Sequence, residues 1–270
     1  MNVFNELLEI AQAKALHVFA FDFGRYLLAA GTAATVVWLL KRTSWKSRQI
    51  QKQDPRAEDV RREFLSSIRT VLVYVVVSLA TALGFQHGIF RMPADSHGIV
   101  GNLAMLLAIL VAHDAYFYWT HRAMHHRALF KTFHRFHHRT ITPTAWAAYA
   151  FAVPEALVMA LFMPLWLFLV PTPGIVIVSF LLIMIFRNAM GHAGLELHAR
   201  GWASHPLLKW ISTTTHHDMH HAGGFNHNFG FYFTYWDKLM GTEHPDYVAT
   251  YDRVTARLPE PATTEILPAS

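Results

Sequence analysis

At 270 residues the chain can form one large domain, and 53% hydrophobic with 14% aromatic content lies well above the average soluble protein. It carries a net charge of +5 and no cysteine, so it holds no disulfide framework, thiolate-ligated haem or iron–sulfur cluster. Any electrons it uses must come from a partner.

The N-terminus, MNVFNELLEIAQAK, has two glutamates before its first basic residue and lacks the positive region of a secretory signal, so it reads as retained. Apolar stretches follow at 26–40, 71–90, 99–119, 145–170 and 175–186, the last two separated by Pro-Thr-Pro-Gly at 171–174. Several approach the roughly 20 residues that cross a bilayer core. The expectation is an all-α integral membrane protein with four to five transmembrane helices. The loop KRTSWKSRQIQKQDPRAEDVRREF and the arginines and lysine at 122, 127, 131, 135 and 139 place both segments in the cytoplasm by the positive-inside rule. Basic residues set between membrane spans fit a lipid surface and give no nucleic-acid face.

On this topology every histidine cluster falls on the cytoplasmic side. Ten of the nineteen histidines gather at His121/His125, His134/His137/His138, His192 and His216/His217/His220/His221. Residues three and four apart share a helix face, so HRAMH, HRFHH and HDMHH each aim two or three imidazoles together. One tetrahedral ion needs about four protein ligands, and these clusters offer roughly twice that. Two ions, held in a cytoplasmic helical cap, are the economical reading. His17, His87, His97, His205 and His244 stand alone and read as ordinary core or surface residues.

Other residues near the clusters invite a supporting role. His113 lies about 12 Å back along a helix from His121 and about 80° round it, which suits a substrate cavity better than a metal. Asp114 is placed to accept the free N–H of a ligand histidine, or to act as a cap or arginine partner. Glu155, inside an apolar span, should face a cavity. Glu196 either supports the metal or pairs with Arg200. Tyr116, Phe117, Tyr118 and Trp119 read as an interfacial aromatic belt, and Trp236 and Asp237 as structural residues between the turn positions Gly230 and Gly241.

The run HDAYFYWTHRAMHH, then FHRFHHRTITPTAWAA, GHAGLEL and THHDMHH with NFGFYFTYWDKLMGT resembles the fatty acid hydroxylase and sterol desaturase superfamily of membrane di-iron oxygenases, over about residues 105–247. The resemblance implies that His121, His125, His134, His137, His138, His192, His217, His220 and His221 ligate two iron ions, for which zinc can substitute on expression. It leaves His216 as a supporting or substrate-facing position. It also implies O₂ as co-substrate, a lipid substrate, and an electron donor such as a ferredoxin or a b-type cytochrome with its reductase. The chain divides accordingly into an anchor with a basic loop (1–100), a catalytic region (101–250) and a tail (251–270). Two departures stand out. Ala152-Val153-Pro154-Glu155 lacks the histidine of a His-Pro-x-Glu element, and Asn188 stands where the α-hydroxylase branch has a histidine, which leaves His198 as a substitute ligand.

The implied reaction is hydroxylation or desaturation of an unactivated C–H bond, with the lipid's polar end at the cytoplasmic interface and its apolar part among the membrane helices. A zinc intramembrane hydrolase is the first alternative, but it would carry a glutamate inside its histidine pair, and here the pair reads HRAMH. A metal transporter or metal-storing protein is the second, and it would string ligands along a path across the bilayer rather than in one layer.

Overall fold

A computed structural model describes residues 3–93, 98–223 and 225–256, and these are almost wholly helical. Helix α1 (Val3–Leu40) and helix α2 (Ala57–Gln86) form a long hairpin. Pro55 and Arg56 stop the preceding loop, and Glu58 and Asp59 in the first turn of α2 complement its positive end. Gly88, at φ 71°, turns the chain out of α2 in a conformation that suits glycine. Helices α3 (Gly98–Met124), α5 (Val153–Leu169) and α6 (Gly174–Gly191) complete the membrane layer, and a short helix α4 (Arg127–Phe133) lies between α3 and α5. Four helices, α1, α2, α3 and α6, are long and apolar enough to span, while α5 has only 17 residues.

Helix α3 shows how the layer meets its surroundings. Ile99, Val100, Leu103, Leu107 and Val111 are exposed, Ile99 by 78%, whereas Ile109, His113, Asp114, Tyr118 and His121 on the other stripe are buried. A helix apolar on its outer face and polar within is built for lipid outside and protein inside.

The apolar stretch 145–170 is not one span, as its composition suggested. Residues Ala145–Tyr149 form a buried 3-10 turn between α1, α2 and α6, and a separate helix begins at α5 with Pro154 in its first turn. Hydrogen bonds from Tyr26 and Ser67 to the Trp146 carbonyl fix that turn, and Tyr26 stacks on Tyr149. Its apolar residues belong to the protein core, not to a lipid face.

The basic loop between α1 and α2 folds onto the cap. The Ile50 N–H donates to the Gly194 carbonyl, the Glu196 N–H to the Arg48 carbonyl, and Gln51 Nε2 to Asp218 Oδ1 at 2.9 Å. The cap itself is made of helices α7 (Thr214–His221), α8 (Tyr235–Leu239) and α9 (Tyr247–Thr255). Helix α9 buries Tyr247, Tyr251 and Val254, so the packed cap continues past residue 250. His97, most of the expected outer loop (94–97), and residues 257–270 with Ser270 lie outside the described residues.

Candidate metal centre

Four segments bring nine histidines to one end of the helical layer. His121 lies in the last turn of α3 and His125 one residue beyond it; His134 caps α4; His137 and His138 sit on a 3-10 turn; His192 caps α6; and His217, His220 and His221 lie on α7. They form two groups. His121, His125, His134, His138 and His220 make one, and His137, His192, His217 and His221 the other, with the candidate ligand atoms of each group within 4.8 Å of one another.

The grouping follows helical spacing in a way the sequence motifs disguised. The pairs four apart, 121/125, 134/138 and 217/221, each stay within one group, while His137 and His220, three residues after the first member of their pairs, cross to the other group. Of the two or three imidazoles that HRFHH and HDMHH are each expected to aim together, two share a group, 134/138 and 217/221, and the third, His137 or His220, turns to the other. HRFHH and HDMHH each stitch the two groups together, while HRAMH serves one group alone.

The ring atoms argue for cations between them. Nε2···Nε2 distances are 2.9 Å for His121–His134, 3.1 Å for His125–His138, 3.3 Å for His137–His192, 3.0 Å for His192–His217 and 3.2 Å for His217–His221. Two nitrogens bound to one ion at roughly 2.0–2.1 Å would lie about 3.0 to 3.4 Å apart. Meanwhile the other nitrogen is engaged outward: Nδ1–H of His121 donates to the Phe229 carbonyl (3.0 Å), His134 to Glu155 Oε1 (2.6 Å), and His137 to the Ala150 carbonyl (3.4 Å). His192 donates to the Asn188 carbonyl (2.8 Å), His220 to the His227 carbonyl (2.7 Å) and His221 to the Thr140 carbonyl (3.0 Å). With the proton at Nδ1, the pairs His121–His134 and His137–His192 turn lone pair against lone pair, and His220 Nε2 is buried without a partner. Such an arrangement repels unless a cation lies between the nitrogens, so the residues fit metal ions.

Electrostatics agree. Burial, followed by the neighbouring imidazoles, drives His134, His137, His138, His217 and His220 well below the ordinary histidine range. Burial lowers His192 to about 4 and, with its histidine neighbours, His125 to about 2. At neutral pH these rings are neutral, the form that binds metal.

The expected supporting residues divide. Glu155 accepts from His134, and its Oε2 is buried without a partner beside the cluster, so it supports a histidine as well as facing the interior. Asn188 lines the space next to the histidines, its Nδ2 donates to the Ala148 carbonyl, and its own carbonyl holds His192. His113 borders an apolar cavity of about 280 Å³ and packs edge-on to Phe162, Phe180 and Phe231; its Nδ1 is unpartnered. That cavity shares Phe117, Phe151, Met159 and Asn188 with the space lined by the histidines.

Three residues act differently from expectation. Asp114 reaches no histidine: its Oδ1 accepts the backbone N–H groups of Tyr232 and Phe233 and so holds the strand of chain that carries Phe229. Glu196 takes the N–H and hydroxyl of Thr215 and both donors of His198, pinning the start of α7; it does not pair with Arg200, and His198 is thereby tied up away from both groups. His216 is fully buried outside both groups, against Tyr247 and 3.5 Å from Asp237.

What sequence reading missed is the set of backbone carbonyls, at 140, 150, 188, 227 and 229, that orient the rings. A carbonyl leaves no residue-type signal. The NFG motif builds one of them. Asn228, at φ 60°, accepts the His244 N–H and donates to the His216 carbonyl, and Asp237 receives the N–H groups of Phe229 and Gly230 at 2.9 and 2.7 Å.

Comparisons with known proteins fall on the same segment. Residues 106–242 match the family model for fatty acid hydroxylase. Mouse cholesterol 25-hydroxylase is 32% identical over 172 residues, covering 62% of this chain and 56% of that protein. Human lathosterol oxidase is 26% identical over 189 residues (68% and 60%), and a Delta(7)-sterol 5(6)-desaturase of Gibberella zeae is 26% identical over 239 residues (86% and 64%). The chain thus spans less than two thirds of the length of these relatives, and no solved structure matches it. With the matched segment running from the middle of α3 through the last of the nine histidines to Thr242, the chain belongs to the fatty acid hydroxylase family.

Proposed function

We propose that the protein is a membrane oxidoreductase that hydroxylates or desaturates an unactivated C–H bond of a lipid, using two iron ions, O₂ and electrons from an external donor. The observation that carries this reading is the junction of two multi-imidazole groups with an apolar cavity inside the membrane layer. The sterol-oxidising relatives supply the substrate class.

In this reading His121, His125, His134, His138 and His220 hold one ion and His137, His192, His217 and His221 the other. The bound irons supply the two-electron chemistry that activates O₂ and the C–H bond. The chain supplies the rest. Outward hydrogen bonds fix the tautomers of His121, His134, His137, His192, His220 and His221, that of His134 through Glu155 Oε1. Phe117 and Phe151 wall the passage between cavity and histidines, hold a carbon chain or ring against them, and keep water out. Hydroxylation and desaturation then differ only in which C–H bonds that wall presents. The site lies on the cytoplasmic face, in reach of a soluble or membrane-bound electron donor, because the basic loop 41–56 belongs to the same end.

The test is lipid profiling by mass spectrometry, in cells with and without the gene and with purified iron-loaded protein given a donor. A lipid gaining one oxygen or losing two hydrogens is expected only with the intact protein. Iron-dependent transport or hydrolysis with no oxidised lipid would sink the proposal.

A further inference from the structure

Asp22 and Arg25 lie one turn apart on α1, within its membrane-spanning part, and are only 3% and 6% exposed. Arg25 Nε donates to Asp22 Oδ1 at 2.8 Å, and Nη1 donates to the Tyr149 hydroxyl at 2.6 Å and the Leu181 carbonyl at 3.4 Å. Asp22 Oδ2 is buried without a hydrogen-bond partner. Both residues border the 280 Å³ cavity that shares Phe117, Phe151, Met159 and Asn188 with the space beside the histidines, and Tyr74, Ser78 and Thr81 on α2 line it as well.

A charged pair inside an apolar layer is costly, and a carboxylate oxygen left unpartnered there more so, when an apolar pair could have joined the same helices. The cost is recovered when a donor reaches the unpartnered acceptor. Resting on the lipid-oxidising reading above, we propose that Asp22, held by Arg25, is the specificity residue of the cavity and accepts a hydrogen bond from a hydroxyl group on the substrate.

The chemistry of the open atom narrows the substrate. An ionised carboxylate accepts and does not donate, so it selects an alcohol over a ketone, an ester carbonyl, a free carboxylate or a plain hydrocarbon. Position narrows it again. Leu181, the carbonyl Arg25 touches, precedes His192 by eleven residues on α6, a rise of ~16 Å. The hydroxyl and the carbon to be oxidised therefore sit at opposite ends of an elongated molecule. The polar end goes deep and the apolar end meets the metal, the reverse of the orientation expected from sequence.

The test reads binding, so it is independent of turnover. Metal-loaded protein in lipid nanodiscs is titrated with cholestanol, cholestanone and cholestane, and in a second series with octadecanol, octadecanal and octadecanoic acid, by native mass spectrometry. In at least one series the alcohol should bind about tenfold or more tightly than its partners; that series names the skeleton. Asp22→Asn places an amide donor in the cavity, so the carbonyl compound should gain on the alcohol by a similar factor. A merely structural ion pair would leave that ratio unmoved. Equal binding of all members in both series by the native protein overturns the proposal, and that comparison stands even where the variant does not fold. An Asp22→Asn protein that keeps its metals and the native alcohol preference overturns it too. Alcohol preference without any lipid turnover would count against the proposed reaction alone.

Discussion

At the residue scale, adjacency in sequence and adjacency at the candidate metal centre are different things. His137 and His138 are neighbours in the chain but belong to separate groups, whereas His134 and His138, one turn apart, share a group. The double variant His137→Ala/His138→Ala should therefore lose most of both ions, and His134→Ala/His138→Ala should retain the ion of the other group. Metal analysis of purified protein decides; equal losses in the two would refute the grouping. The same burial that keeps the rings neutral makes the metal-free protein acid-sensitive. A histidine whose folded pKa is depressed carries no penalty above its unfolded value near 6.5. As pH falls below that value the unfolded chain binds protons the folded one refuses, and stability is lost at roughly 1 kcal/mol per histidine per pH unit until the folded pKa is reached. Melting temperatures of the metal-free protein should drop steeply between pH 7 and pH 5 and stay nearly flat above pH 7.

At the scale of elements, HRFHH keeps the four-residue pairing of α3 and α7 without one continuous helix. There a helix end, a turn and a 3-10 segment replace one helix face, because Phe133 closes α4 and His137 must reach across to His192. The segment 228–233 is the other element that sequence could name but not place. Its Gly230 admits no side chain: a Cβ there would stand 2.8 Å from Asp237 Oδ2 and also collide with the Phe233 carbonyl. Gly230→Ala should cost about 1–3 kcal/mol and lower metal content, since it displaces the Phe229 carbonyl that orients His121. Thermal melting with metal analysis checks this. A variant as stable and as fully loaded as the native protein would show that the carbonyl's position is not critical.

At the scale of the molecule, the anchor and the cap are one body. The loop after α1 bonds to Gly194, Glu196 and Asp218, and the hairpin α1–α2 walls the cavity that adjoins the space beside the histidines. Because the chain has no cysteine, single cysteines can be introduced cleanly. Lys52→Cys, in the loop, should react with a membrane-impermeant maleimide only from the cytoplasmic side, and Arg91→Cys, beyond α2, only from the opposite side. The reverse labelling would invert the topology and put the site out of reach of a cytoplasmic donor.

Sequence by itself determined the chemistry and the medium. Eight histidines at spacings of three and four with His192 apart, no cysteine, and long apolar runs admit few readings besides metal ions beside a membrane, because ligand type and hydropathy are properties of residues. Tertiary structure alone decided which histidine joins which group and which carbonyls hold His121, His137, His192, His220 and His221. It also took Asp114, Glu196 and His216 from the metal to the scaffold around it. Those are properties of where backbones cross. His192 meets His137 across 55 residues and His121 meets Phe229 across 108, and no local pattern records a contact made that far along the chain.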